Sequence, residues 1–219
     1  MFRPGMDKGI ATPVPLGLAA LGVTTFLRGV SLIAQPASAW GPYFTNGLML
    51  GGLAEFIAGM WAFAYGNPLA ATVFSFVGAF YGWWGASGLF LHGAAMNPAS
   101  IALVMIVCAF VVLYLWVGSF YETAVFNLVL LFLWIAYGLT GISRAANYEP
   151  IAIIGGISAI ISGLVAAYGS FAELYNAAIF QEVVPLGESK LIRERSAREE
   201  QARLGRIHPT GNHHQEMHA

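Results

Sequence analysis

Charged residues are scarce in this sequence. They make up 10% of its 219 residues, whereas 58% of the residues are hydrophobic, and soluble domains ordinarily contain about 25% charged residues. Between Arg28 and Glu173 the only other Asp, Glu, Lys or Arg residues are Glu55, Glu122, Arg144 and Glu149. Such a stretch cannot supply a water-exposed surface, so the composition predicts an integral membrane protein.

Cysteine and recognisable catalytic motifs are also missing. Cys108 is the single cysteine, which excludes an intramolecular disulfide. The sequence contains no P-loop, HExxH or CxxC motif, nor GxGxxG or GxSxG in a suitable context, and its formal net charge of −1 gives no basis for nucleic-acid binding. We therefore expect no enzyme activity, cofactor or metal site. Four histidines lie within positions 207–219, but no fixed ligand geometry is implied there.

Six apolar runs are long enough for membrane helices. A bilayer core about 30 Å thick requires about 20 helical residues, and runs of about this length occupy positions 16–34, 47–65, 68–91, 100–120, 124–143 and 150–172. The short breaks between them predict antiparallel hairpins. Small residues at four-residue spacing in two spans predict close helix contacts: Gly47, Gly51, Gly52 and Gly59 in the second span, and Gly78, Gly82, Gly85 and Gly88 in the third.

The distribution of basic residues predicts the orientation. Six spans place both termini on one side of the membrane, and Lys and Arg are concentrated at the two ends of the chain, against only Arg144 in the opposite loops. We therefore expect both termini in the cytoplasm and the protein in the plasma (inner) membrane. The chain divides into a segment 1–11, a membrane domain 12–187 and a tail 188–219. Alternating charges in the tail predict a solvated helix or a disordered segment.

Two charged residues lie inside the predicted spans. A charge at the centre of a span costs about 2.5–3.5 kcal/mol on insertion scales and usually faces a partner or a cavity. Arg28, near the outer end of its span, either snorkels to the lipid headgroups or has a functional role, whereas Glu55 lies near the middle of the second span and is the stronger functional candidate. A hairpin of these two spans would place Arg28 opposite residues 46–53, so we hypothesise a partial Arg28–Glu55 ion pair.

The prolines near the start of the first span predict a helix N-terminus. Pro13 and Pro15 suit the first helical turn, with Thr12 as the cap and Leu16 and Gly17 offering free backbone N–H groups. Free N–H groups and the positive end of the helix dipole together form a site where a carboxylate can bind. Similar caps are predicted before two further spans, at Asn67 and Asn97.

Three stretches of the sequence resemble the acetate uptake transporter family, also called the succinate–acetate permeases. The stretches are "TPVPLGLAALGVTTFL", "GGLAEFIAGMWAFAYGN" and "AELYNAAIFQEVVPLGE". They are similar to the family motifs Asn-Pro-Ala-Pro-Leu-Gly-Leu, Gly-Gly-x-x-Gln-x-x-Ala-Gly and Pro-x-Gly-Glu, in the same order over residues 12–188. The resemblance implies an all-α fold with six transmembrane helices per protomer and a hexameric ring. Each protomer would pass acetate or related short carboxylates, as a proton-coupled carrier or as a channel.

The resemblance also implies which residues line the path. Its cytoplasmic part would be lined by Thr12, Pro13, Pro15, Leu16 and Gly17. The family's constriction of a Phe, a Tyr and a Leu falls at Leu21, Val77 and Leu133, so that both aromatic members are replaced. Nearby aromatic residues that could substitute for them are Phe76, Phe80 and Tyr81.

Two further departures concern polar residues of the motifs. Thr12 stands where the family has Asn, and Glu55 stands where it usually has Gln. An ionised glutamate beside the path would repel acetate, whereas a carboxyl group removed from water could accept or share a proton. Glu55 would then suit proton-linked uptake or passage of the neutral acid.

Three functions are compatible with these observations. The first is a membrane pathway for acetate and related monocarboxylates, in which apolar constrictions select by size and helix N-termini select by charge. The second is a pathway for a small neutral solute such as urea or ammonia, which Glu55 and the loss of the aromatic gates would favour. The third is a membrane sensor or scaffold whose charged tail recruits partners. The implied partners are the lipid bilayer, a small carboxylate and other copies of the chain.

Overall fold

The fold is described from a computed structural model, which describes residues 11–34, 40–90 and 97–187. The tail 188–219, all of segment 1–11 except Ala11, and the predicted end of the third span at Leu91 lie outside the described residues. Within them the chain is helical and contains no β-strand.

In the described residues, seven α-helices and two further helical segments form six runs that could cross a membrane. The α-helices are α1 (Val14–Ala34), α2 (Trp40–Asn46), α3 (Glu55–Tyr65), α4 (Pro68–Phe90), α5 (Pro98–Gly118), α6 (Ala124–Ala146) and α7 (Glu149–Ile179). A π-helical segment, Gly47–Ala54, joins α2 to α3, and a 3-10 turn, Ser119–Tyr121, follows α5. By length and composition, six runs of the described residues are suited to span a membrane. The predicted all-α fold with six spans is confirmed.

Polar side chains cap the helices where the sequence predicts them. The Thr12 Oγ1 accepts a hydrogen bond from the Val14 N–H at 3.4 Å. The side-chain oxygen of Asn67 accepts from the Ala70 N–H at 3.0 Å, and that of Asn97 accepts from the Ala99 N–H at 2.9 Å. These bonds satisfy N–H groups that have no acceptor within the first helical turn.

The second span begins earlier than predicted, and this changes which residues face the first span. It starts at Gly41 rather than at position 47. The Asn46 side chain donates to the Thr24 Oγ1 at 3.3 Å, and a Cβ added to Gly51 would lie 2.7 Å from the Thr24 Cγ2. Thr24, not Arg28, therefore lies opposite residues 46–51. The prediction was wrong because α2 and the π-helical segment extend the second span at its N-terminal end.

Close helix contacts form through small residues, as predicted. A Cβ added to Gly52 would lie 2.7 Å from the Gly82 Cα, and one added to Gly78 would lie 2.7 Å from the Phe56 backbone nitrogen. These contacts hold the second span antiparallel to α4. They also place residue 55 at the level of residues 77–78 on α4.

Helix α1 packs along α7, which in turn packs along α6. Two pairs of glycines bring the α1 and α7 backbones together: a Cβ on Gly163 would lie 2.7 Å from the Gly22 carbonyl oxygen, and one on Gly29 would lie 2.6 Å from the Gly156 carbonyl oxygen. Since the numbering rises along one helix and falls along the other, α1 and α7 are antiparallel.

Helices α1, α4 and α6 run in the same direction. A Cβ on Gly17 would lie 2.5 Å from the nearest atom of the Phe74 ring, and Thr25 contacts Tyr81 further along both helices, so α1 and α4 are parallel. The Ser162 and Ser158 hydroxyls of α7 donate to the carbonyl oxygens of Val129 and Phe132 on α6. Helix α7 is therefore antiparallel to both α1 and α6, which makes α6 parallel to α1.

The segment 181–187 folds back onto the start of α6. The Ala124 and Val125 N–H groups donate to the carbonyl oxygens of Gly187 and Leu186 at 2.6 and 3.2 Å. The Asn176 side chain accepts from the backbone N–H of Val184 at 2.9 Å and donates to its carbonyl oxygen at 2.8 Å. The segment thus supplies acceptors that the first turn of α6 lacks.

Candidate functional site

An apolar layer lies in the core on the three parallel helices. It consists of Leu21 on α1, Val77 on α4 and Leu133 on α6, which belong to one buried cluster and have no exposed surface. Ring contacts between α4 and α6 on both sides of this level, Phe74 with Phe126 and Phe80 with Tyr137, have centroid distances of 6.1 and 4.7 Å. The structure therefore brings together the three residues that the resemblance implies for the constriction.

A polar layer lies one helical turn further along the same helices. It consists of Thr25, Tyr81 and Tyr137, each four residues after a member of the apolar layer, which corresponds to about 6 Å of helix rise. The Thr25 and Tyr81 hydroxyls are 2.8 Å apart and hydrogen-bonded. The Tyr137 hydroxyl is buried and has no hydrogen-bond partner among the described residues. It lies close enough to the Tyr81 hydroxyl to interact with it, so the three hydroxyls of the polar layer form one buried group.

Arg28 lies next to the polar layer and faces the protein interior. Its side chain is 6% exposed. The guanidinium carbon lies 5.3 Å from the Trp84 ring centroid and 5.7 Å from that of Phe80, and one nitrogen donates to the Met105 sulfur at 3.2 Å. This inward geometry does not agree with the interpretation that Arg28 snorkels to the lipid headgroups.

Glu55 is fully buried at the level of the apolar layer. Neither of its carboxylate oxygens has a hydrogen-bond partner among the described residues. Arg28 is seven residues beyond Leu21, which corresponds to about 10 Å along α1. The hypothesised ion pair is therefore not formed in this structure, because the register between the first two spans separates the two groups.

The N-terminal tip of α1 differs in part from its predicted form. The Gly17 N–H donates to the Pro13 carbonyl oxygen at 3.0 Å, and the Phe74 ring packs against Gly17. Gly17 therefore does not offer the free N–H that the sequence predicts. Leu16 is 47% exposed, and the Pro15 carbonyl oxygen accepts from the Ser170 hydroxyl at 2.7 Å.

Sequence reasoning missed Tyr137 and the aromatic surroundings of Arg28. A signal for Tyr137 was present, because the step from Leu133 to Tyr137 equals the step from Val77 to Tyr81. Residues four apart lie on the same face of a helix. No comparable signal connects Arg28 with Trp84 or Met105, which lie on other helices.

Comparisons with known proteins agree with this architecture. The succinate-acetate/proton symporter SatP of Escherichia coli strain K12 is 26% identical over 185 residues, which cover 82% of this chain and 97% of SatP. Acetate permease A of Emericella nidulans is 36% identical over 86 residues, covering 36% of this chain and 29% of the permease. A solved structure of the bacterial acetate channel SatP matches with a TM-score of 0.76 and 26% identity, covering 81% of this chain and 99% of that chain.

These relatives are named as transporters or as a channel, which agrees with the expectation that the chain is not an enzyme. The match to the family extends over all of residues 12–187 and includes the motifs noted above except Glu188, the last residue of the third. Over residues 2–187 the sequence matches the GPR1/FUN34/yaaH family, and the chain belongs to that family.

Proposed function

We propose that this protein conducts acetate and related short monocarboxylates across a membrane through the centre of the protomer. The observation that carries the proposal is the succession of an apolar layer and a polar layer on three parallel helices. Apolar side chains can select a small solute by size, and the hydroxyls of the polar layer can replace part of its hydration. The names of the relatives support this substrate class and do not favour a neutral solute such as urea or ammonia.

The route we propose begins at the N-terminal tip of α1 and continues past both layers. Thr12, Pro13, Pro15, Leu16 and Gly17 line its cytoplasmic entrance. The solute then passes Glu55 and the apolar layer before reaching Tyr81. A helix start attracts an anion because its first N–H groups and its dipole are positive.

Coupling to protons belongs to the same proposal. The SatP of Escherichia coli is named a proton symporter, whereas the solved SatP structure is named an acetate channel. The Glu55 carboxyl, at the level of the apolar layer, is the group in this chain that would exchange a proton during passage. We place the protein in the inner membrane with both termini in the cytoplasm, assembled as a homo-hexamer.

Uptake by proteoliposomes tests the proposed function. Vesicles containing the protein are compared with empty vesicles at a pH where nearly all acetate is ionised, so that leakage of the neutral acid through the lipid is small. We expect labelled acetate to enter the protein-containing vesicles faster, and propionate to compete with it. Urea uptake without acetate uptake would support a neutral-solute pathway instead, and no uptake of either would support the sensor or scaffold.

A further inference from the structure

Arg28 is a buried cation whose charge no acid of the described residues compensates. Its guanidinium makes one hydrogen bond to another described side chain, and the acceptor is the Met105 thioether. A thioether is a weak acceptor, and the two aromatic rings leave most of the five guanidinium N–H donors unused. Glu55 lies about 10 Å further along the axis.

A group that could complete this site is present beside it. The Tyr137 side chain is 1% exposed and its hydroxyl has no hydrogen-bond partner among the described residues. Tyr137 and Arg28 both lie against the Phe80 ring: the centroid of the Tyr137 ring is 4.7 Å from that of Phe80, and the guanidinium carbon is 5.7 Å from it. Among the described residues, a cation without an acidic partner therefore lies together with the neighbouring hydroxyls of Tyr137 and Tyr81 in the core.

We infer that Arg28 and Tyr137 form a carboxylate-binding subsite on the outer side of the apolar layer. This inference rests on the proposed function and assigns two residues to its substrate. The planar guanidinium matches the two oxygens of a carboxylate, and the Tyr137 hydroxyl donates a further hydrogen bond. The guanidinium lies over the rings of Phe80 and Trp84, and neither ring offers the oxygen acceptors that a carboxylate would supply.

The small exposed fraction of Arg28 favours a short monocarboxylate over a larger anion. Arg28 is about 9 Å from the outer end of α1, since six residues separate it from Ala34. It is 6% exposed, so a bound anion must lose nearly all of its water. Acetate has a single charged group and a methyl group that the adjacent aromatic and apolar side chains can cover.

The test measures binding and uptake with separate assays. Acetate binding to the purified protein is measured by NMR, and uptake is measured in proteoliposomes. We expect Arg28→Gln to weaken acetate binding by about 10- to 100-fold, because a charge-assisted hydrogen-bond pair is lost. Arg28→Lys should recover part of the loss. Arg198→Gln, which changes an arginine of the predicted tail outside the described residues, is the control and should leave binding unchanged.

A second variant keeps the inference testable if Arg28→Gln does not fold. Tyr137→Phe removes only the hydroxyl and should weaken acetate binding by about 3- to 10-fold, whereas Tyr114→Phe on an exposed face of α5 should have no effect. Acetamide has nearly the same shape as acetate but no charge. The preference for acetate over acetamide should therefore fall in Arg28→Gln.

The outcomes separate this inference from the proposed function. If the wild-type protein transports acetate and both variants bind it with wild-type affinity, the subsite is wrong and the proposed function stands. If the wild-type protein transports no acetate, the proposed function is wrong, and binding decides the subsite: binding that depends on Arg28 supports it, and absence of binding overturns it.

Discussion

The carboxyl group of Glu55 is buried where no described residue forms a hydrogen bond with it. An ionised carboxylate in such a place would be poorly stabilised and would repel a passing anion. The sequence identifies Glu55 because it stands where the family usually has Gln. The sequence alone could not show that Arg28 is too far from Glu55 for an ion pair. The relative position of the two spans depends on where the second span begins.

Replacing Glu55 by Gln should raise downhill acetate uptake and remove any acceleration by an imposed proton gradient, because glutamine cannot exchange a proton. The change keeps the size of the side chain and removes its charge, so we expect folding to be preserved and the gain in uptake to increase with pH. Tyr81 is another titratable residue that interacts with Glu55. Uptake rates across a pH series in proteoliposomes provide the measurement.

Glu182→Gln is the matched control for this substitution, because Glu182 is exposed in segment 181–187. It should leave the pH profile of uptake unchanged. Wild-type uptake rates for Glu55→Gln at every pH would remove Glu55 from the mechanism.

At the scale of the helices, glycine spacing determines how closely the spans approach. Gly22 and Gly29 on α1 are seven residues apart, as are Gly156 and Gly163 on α7, so each helix presents its pair on one face. In lipid, where hydrophobicity adds little to helix association, such close backbone contacts contribute much of the packing. The sequence predicted close packing for the second and third spans, whereas the α1–α7 pairs require knowledge of which helices are neighbours.

Gly163→Ala should therefore destabilise the protein. The added Cβ would lie 2.7 Å from the Phe26 backbone nitrogen and from the Gly22 carbonyl oxygen, and overpacking of this kind costs about 1–3 kcal/mol. Thermal unfolding in detergent measures the loss as a lower Tm.

Gly138→Ala on α6 is the matched control, because its Cβ would lie 3.8 Å from the Ala109 Cβ, an ordinary contact. Alanine also has a higher helix propensity than glycine. This variant should be as stable as the wild type or more stable. Equal Tm values for the two variants would show that the α1–α7 contact is not tight.

The lengths of the spans were predictable, whereas their interruptions were not. The thickness of the bilayer core sets the number of apolar residues that a spanning helix needs. Pro, Asn and Gly mark the starts and ends of the helices. The π-helical segment Gly47–Ala54 was not predicted, because its glycines lie within an apolar run, where they indicate close packing of a regular span. Helix α7 likewise continues to Ile179, beyond the predicted end at position 172.

At the scale of the whole molecule, large apolar side chains cover the outer surface of the described helices. Examples on α3, α5 and α7 are Phe63, Leu103, Phe110, Leu164 and Phe171, each more than half exposed. Lipid can cover such faces, and so can neighbouring copies of the chain. The surface is compatible with the hexameric ring that the family resemblance implies.

Native mass spectrometry from a mild detergent should detect six copies of the 23.4 kDa chain. The expectation rests on the family resemblance and on the apolar outer faces. Stepwise removal of detergent should leave this mass unchanged. A monomer that persists in nanodiscs and still transports acetate would contradict the ring without affecting the proposed route.

The common direction of α1, α4 and α6 has an electrostatic consequence. Each helix carries a partial positive charge at its beginning and a partial negative charge at its end, about half an elementary charge each. Because the three helices that carry both layers all begin at the same end, their dipoles add along the centre of the protomer. These three dipoles favour an anion near the Thr12 end and disfavour it near the other end, where Arg28 lies. The positive charge of Arg28 offsets this unfavourable contribution.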